Sequence, residues 1–194
     1  MRIGIIGKGN VGTALATGLS RAGHEIKFGH REPKEPVDEA AKWGDVIIMA
    51  VPFGSVPDAA RAIGSASDGK PLIDVTNALD KNMNLAIGFT TSGAEKLKNY
   101  LPNTRVVKAF NTVLAQNQSR GRIGEAQLSL FVASDDEMAK KIVMRLGEDI
   151  GFDPIDAGPL KAARYLEPMG VLMISLGYKL KVGTKIGYKL IKGL

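Results

Sequence analysis

Near the amino terminus, Gly7-Lys8-Gly9-Asn10-Val11-Gly12 places three glycines at the spacing G-x-G-x-x-G. A short apolar run (2–7) precedes them, and small and apolar residues at helical spacing follow: Val11, Ala14, Leu15, Gly18, Leu19 and Ala22. A glycine loop between a strand and a helix suits the chemistry of holding a diphosphate. Gly7 permits the tight turn, Gly9 leaves the backbone bare for the phosphates, and Gly12 lets the helix pack close to the sheet. The helix start then offers unpaired N–H groups and a partial positive charge, with Lys8, Asn10 and Val11 completing the loop. The plainer reading is a tight turn that serves the fold alone.

The second strand, His24 to Gly29, ends at His30-Arg31, with Lys34 shortly after. Chains that grip an adenosine ribose through its 2′-hydroxyl place a carboxylate there, about 20 residues beyond the glycine loop. A carboxylate would repel a 2′-phosphate, whereas a guanidinium pairs with it bidentately and a lysine adds a point charge. Glu32 falls past the strand end. The expected ligand is therefore NADP(H), with Arg31 as principal anchor, His30 as donor and Lys34 as support. Against this stands an ordinary solvated charged turn.

Further strand ends carry the segments 50–53 (AVPF), 74–79 (DVTNAL) and 108–113 (KAFNTV). Ligands of a doubly wound sheet sit beyond the carboxyl ends of its strands. Val51 and Pro52 are expected to form one wall of a nicotinamide pocket, and Phe53 or Phe110 to flank a ring. Asn77 and Asn111 either hydrogen-bond the carboxamide or ribose, or simply cap turns. No acid–base constellation stands out. His24 opens a strand and reads as a surface residue, and Lys108 lies inside an apolar strand. Tyr188 and Lys192 have the spacing of a dehydrogenase pair but fall in a glycine-rich tail. Hydride exchange between two cofactors needs little from side chains, since the protein supplies proximity and a dry pocket.

The elements that must position these residues alternate. Strand-like runs at 2–7, 24–29, 45–51, 71–77, 105–110, 128–134 and 152–158 are separated by helix-like runs at 10–22, 37–43, 57–63, 93–100 and 135–149, with Asp135 near an N-cap. A last helix begins near Lys161. Apolar strands alternating with helices predict a Rossmann-type α/β fold, a doubly wound parallel sheet with a small C-terminal helical extension. The division expected is 1–158 for nucleotide binding and 159–194 for a helix and basic tail.

The 194 residues suffice for one core, and 44% hydrophobic with 24% charged content is that of a globular domain. The absence of cysteine excludes disulfides, thiolate metal sites and a cysteine nucleophile. The longest apolar stretch, Pro168 to Tyr178, falls short of the about 20 residues a bilayer span takes, so a cytoplasmic protein is expected. Of the net charge of +6, five units belong to Lys179, Lys181, Lys185, Lys189 and Lys192, past the last acid, Glu167. The basic tract lacks a recognised nucleic-acid fold, so nucleic acid is not expected as partner. Lys181, Lys185, Lys189 and Lys192 recur at helical spacing beside Val182, Ile186 and Leu190. Such a tail could meet a partner subunit in a homodimer, an anionic cofactor tail, or an anionic surface.

Together, the glycine loop, 29–31 (GHR), 50–53, 74–79, 106–113 (VVKAFNTV) and 156–164 (DAGPLKAAR) resemble the coenzyme F420-dependent NADP oxidoreductase family. They are similar also to the cytosolic domain of the six-transmembrane metalloreductases. The resemblance implies a Rossmann domain with a small helical end, and NADP(H) on the loop formed by Lys8, Gly9, Asn10 and Val11. It implies His30 and Arg31 at the 2′-phosphate and Val51–Pro52 at the nicotinamide. The expected activity is hydride exchange between NADP(H) and coenzyme F420 or a flavin such as FMN. The alternatives are an NADPH-dependent flavin or ferric reductase, and a module that senses NADP(H) without turnover.

Overall fold

The structure is a computed structural model that describes residues 1–30, 32 and 34–193. Its chain order is β1 (Arg2–Ile6), α1 (Asn10–Arg21), β2 (Glu25–Gly29), α2 (Val37–Trp43), β3 (Val46–Met49), α3 (Val56–Ile63), β4 (Pro71–Asp74), α4 (Gly93–Tyr100), β5 (Arg105–Lys108), α5 (Ala115–Gln118), β6 (Arg122–Ile123), β7 (Ala126–Gln127), β8 (Ser129–Val132), α6 (Glu137–Asp149), β9 (Asp153–Asp156) and α7 (Ala163–Ile174). Five strands make one parallel sheet in the order β2-β1-β3-β4-β5. Strand order reverses between β1 and β3, and in open α/β sheets the ligand crevice lies at that point.

The sheet is buried on both faces because its strands are apolar without interruption. Alternate residues serve opposite layers. Ile3, Ile5, Ile48, Ile73 and Val107 pack with Leu15 and Leu19 of α1 and Val143 and Leu146 of α6. Ile6, Ile47, Met49, Leu72 and Val106 pack with Ala40, Val56, Ile63 and Leu97 of α2, α3 and α4. Each such aliphatic side chain stabilises the fold by roughly 1.5–3 kcal/mol when fully buried.

Four expectations need correction. Strands β8 and β9 pair in parallel with each other, but β8 meets the main sheet only through an antiparallel bridge, Lys108 to Ala133. The cap of α6 is Asp136, whose carboxylate accepts from the Ala139 N–H at 2.8 Å, one residue past Asp135. The tail beyond Leu180 is irregular and extended instead of helical, with Gly183 at φ 102° and Lys181 at φ 55°. Specific anchors hold it there. Ser129 N–H donates to the Tyr188 carbonyl at 2.9 Å, Leu190 N–H to Ser129 Oγ at 2.9 Å, and Asn117 Nδ2 to the Thr184 and Ile186 carbonyls. The glycines that weaken a helix leave the backbone free to make these bonds instead. The His24 side chain is only 11% exposed, with Nε2 3.2 Å from Asp149 Oδ2, so it joins α6 to the start of β2 and is not a surface residue. Among the described residues, no helix is long and apolar enough to cross a membrane.

Candidate functional site

The glycine turn sits at the reversal point, between the ends of β1 and β3. Gly7 adopts φ 108°, the left-handed region that favours glycine, and its N–H donates to the Gly29 carbonyl at 3.0 Å. A Cβ on Gly7 would strike the Ala50 carbonyl, and one on Gly12 the Gly7 carbonyl. Both glycines are therefore demanded by packing. Gly9 differs: a Cβ there would meet nothing within 4 Å, so no protein atom explains its bareness. Gly9 is the N-cap of α1, without a side-chain cap and without an acid in the first turn. The helix thus begins with its N–H groups open to whatever lies above, as an anionic ligand requires.

Two clefts meet over this loop. The first, about 690 Å³, is lined by Gly7, Lys8, Gly9, Gly29 and His30 on one side and by Ala50, Val51 and Pro52 on the other. The second, about 560 Å³, shares Gly9 and Ala50 to Pro52 and continues past Asn10, Val11, Phe53 and Asn77 to Met83. A smaller hollow of about 210 Å³ extends beneath Asn77 to Asn111, Gln118 and Met173. A groove that runs from the end of β2, across a bare helix start, to the ends of β3 and β4 has the layout for an extended dinucleotide.

Most of the residues singled out from the sequence line this groove. Lys34 is an exposed turn residue, and Arg31 lies outside the described residues. The turn itself closes through His30 N–H donating to the Glu35 carbonyl at 2.6 Å. Phe110 is withdrawn altogether: it is 1% exposed and stacks edge-on against Phe152 at 5.8 Å, so it cannot flank a ring. The two asparagines hold each other. Asn77 Nδ2 donates to the Asn111 carbonyl at 2.9 Å, and Asn111 Nδ2 to Asn77 Oδ1 at 2.9 Å and to the Leu166 carbonyl at 2.7 Å. They tie β4 and β5 to α7, and their side chains are committed largely to one another.

Behind the pocket lies a cluster that the sequence reading missed. Lys108, Asp74 and Glu167 are all fully buried, with Lys108 Nζ at 3.0 Å from Asp74 Oδ2 and 3.1 Å from Glu167 Oε1. Glu167 also accepts from the Gly93 and Ala94 N–H groups at the start of α4, at 2.9 and 3.1 Å. Burial on its own would lower the Lys108 pKa, but the two carboxylates outweigh it and raise the pKa, so the ammonium stays charged. The signal was present as an acid and a lysine in two adjacent apolar strands, Asp74 and Lys108, which the parallel register sets side by side. What could not be read was Glu167 arriving from α7. A lysine fixed this way is a pin between sheet, α4 and α7, not a base.

The family comparison agrees with the geometry. Residues 2–78 match the family model described as NADP oxidoreductase, coenzyme F420-dependent. Over that stretch the chain is similar to the coenzyme F420-dependent NADP oxidoreductase family. Over nearly the whole chain the family resemblance extends to a solved structure from Arthrobacter sp. FB24 assigned as an F420-dependent NADP reductase. The two share 27% identity at a TM-score of 0.90, covering 98% of this chain and 99% of that one. The chain is also 30% identical over 186 residues to the metalloreductase STEAP3 of Rattus norvegicus, covering 89% of this chain and 37% of that protein. Metalloreductase STEAP2 of Homo sapiens matches at 29% over 189 residues, 90% of this chain and 36% of that protein. The chain thus spans little more than a third of the length of these curated relatives.

Proposed function

We propose that this NADP-dependent oxidoreductase binds NADP(H) along the groove and exchanges a hydride with a deazaflavin or flavin ring beside the nicotinamide. The observation that carries the reading is Gly9: a bare helix start, unexplained by packing, at the junction of two clefts at the strand-order reversal. In this reading the N–H groups of Gly9, Asn10 and Val11 hold the diphosphate. His30, Arg31, Lys34 and Lys8 receive the 2′-phosphate, and Val51, Pro52 and Phe53 wall the nicotinamide. Asn77 and Asn111 shape the floor of that end through their mutual hydrogen bonds. When bound, the cofactor supplies the hydride at its nicotinamide ring. The chain's part is to align the ring, exclude water with an apolar wall, and leave proton exchange to solvent.

The last helix completes this site, because Gly170 and Met173 line the hollow beneath Asn77 and Glu167 pins the sheet. We accordingly read 1–158 as the nucleotide-binding part and 159–194 as a helix and basic tail that finishes its floor. The similarity to metalloreductases favours a second reading, reduction of a flavin or of ferric chelates by NADPH. A spectrophotometric screen of NADPH against F420, FMN, FAD and ferric chelates decides among them. Bleaching of F420 or flavin absorbance is the expected outcome. Binding of NADPH with no turnover on any acceptor would leave a sensing module in its place.

A further inference from the structure

Lys8 is the one lysine or arginine among the described residues that line the first cleft. Its amine is already engaged. Lys8 Nζ lies 2.8 and 3.0 Å from the two carboxylate oxygens of Glu35 and 5.5 Å from the centre of the Phe28 ring, over the end of β2. Glu35 closes the turn after β2 through its own backbone, accepting from His30 N–H and donating to the Glu32 carbonyl at 3.0 Å. The carboxylate is therefore aimed by the same turn that carries His30. The two acids that line this cleft are satisfied elsewhere: Asp38 pairs with Lys42 and Asp58 with Arg61, each at 2.9 Å. Glu35 alone takes a cation from the cleft.

We propose that Glu35 is a specificity-determining competitor: its carboxylate holds Lys8 at the end of β2, and the 2′-phosphate of NADP(H) must take that lysine over. This deepens the cofactor reading and rests on it. The lysine side chain is 50% exposed and the glutamate 32%, so the pair is a weak, solvated one and can exchange partners readily. A phosphate dianion over β2 offers Lys8 a stronger counter-charge than one carboxylate. Glu35 meanwhile repels that dianion, an effect screened but felt within about 8 Å. The arrangement sets a modest penalty on NADP(H) that a ribose hydroxyl does not incur.

Binding of NADPH and NADH is measured by cofactor fluorescence for the wild-type chain, Glu35→Gln, Lys8→Gln and the double variant. Glu35→Gln is expected to tighten NADPH by about three- to tenfold, the sum of a weak ion pair released and one screened repulsion removed, and to change NADH by less than about twofold. In the Lys8→Gln background the same change is expected to shift NADPH by less than about twofold, because the lysine it frees is gone and only the screened repulsion is left to remove. Unchanged or weaker NADPH binding by Glu35→Gln, equal gains for both nucleotides, or a full gain without Lys8 overturns the proposal while leaving the cofactor reading intact. Failure of the wild-type chain to bind either nucleotide overturns both.

Discussion

Gly9 and Gly12 carry the same letter and stand three residues apart, yet they answer to different constraints. Gly12 has the Gly7 carbonyl where a side chain would go, whereas Gly9 faces open space at φ −79°, which any residue can adopt. Gly9→Ala is therefore expected to lower the melting temperature by no more than about 4 °C, since the only loss is a glycine N-cap exchanged for the poorer alanine, about 0.5–1 kcal/mol. The same methyl keeps the diphosphate off the backbone, and a rise in the NADPH dissociation constant of at least about tenfold is expected, equal to about 1.4 kcal/mol. Calorimetry and nucleotide titration on one preparation check both halves. A large loss of stability would mean that Gly9, too, is a structural glycine.

Helices α4 and α7 pack against each other and are joined by side chains from each. Arg164 forks onto Glu95, with Nε and Nη2 reaching its two oxygens at 2.6 to 3.2 Å. Ser92 caps α4 by accepting from Glu95 N–H at 3.1 Å, and its hydroxyl donates to the Glu95 carboxylate at 2.8 Å. The hydrogen bond from Arg164 is the largest influence on Glu95 and holds its pKa below the ordinary 4.5, against burial. A carboxyl with a depressed native pKa adds stability above its unfolded pKa, and that contribution is lost as pH falls through the native value. Arg164→Ala is expected to cost about 1 kcal/mol at pH 7, as a partly buried bidentate pair. That cost should shrink once the pH drops below about 4, where the unfolded glutamate is protonated. Denaturant titrations at pH 7 and pH 3 measure it, and an undiminished loss in acid would assign the effect to lost packing alone.

At the scale of the whole molecule the basic tail is part of the fold. Tyr188 and Leu190 hydrogen-bond along β8, Tyr188 OH donates to the Met169 carbonyl at 3.0 Å, and Gly187 lies against Leu128. Deleting the residues after Gly177 strips these contacts and uncovers Leu128, which is buried at 4% exposure. A loss of about 2–4 kcal/mol is expected, one buried aliphatic plus several unpaired backbone groups. A fall in the unfolding midpoint checks it. Unchanged stability with a change in oligomeric state or in liposome binding would instead return the tail to the role of an outward-facing contact segment.

The local features were written in the residue order. Uninterrupted apolar runs such as Val46 to Met49 can only be strands buried on both faces, and the glycine loop between a strand and a helix needs no distant partner to be recognised. Helices at 37–43 and 93–100 follow from spacing that puts Ala40, Ala41, Ala94 and Leu97 on one side. What distant segments do to each other was not legible. The tail lysines stand at helical spacing that the glycines weaken, but hydrogen bonds to Ser129 and Asn117, more than fifty residues away, made the tail extended. Lys108 looked like a misplaced charge until Asp74 and Glu167 closed round it, and Phe110 looked available until Phe152 covered it. Local propensity is a property of neighbours in sequence. Burial and pairing belong to neighbours in space, and only folding brings those together.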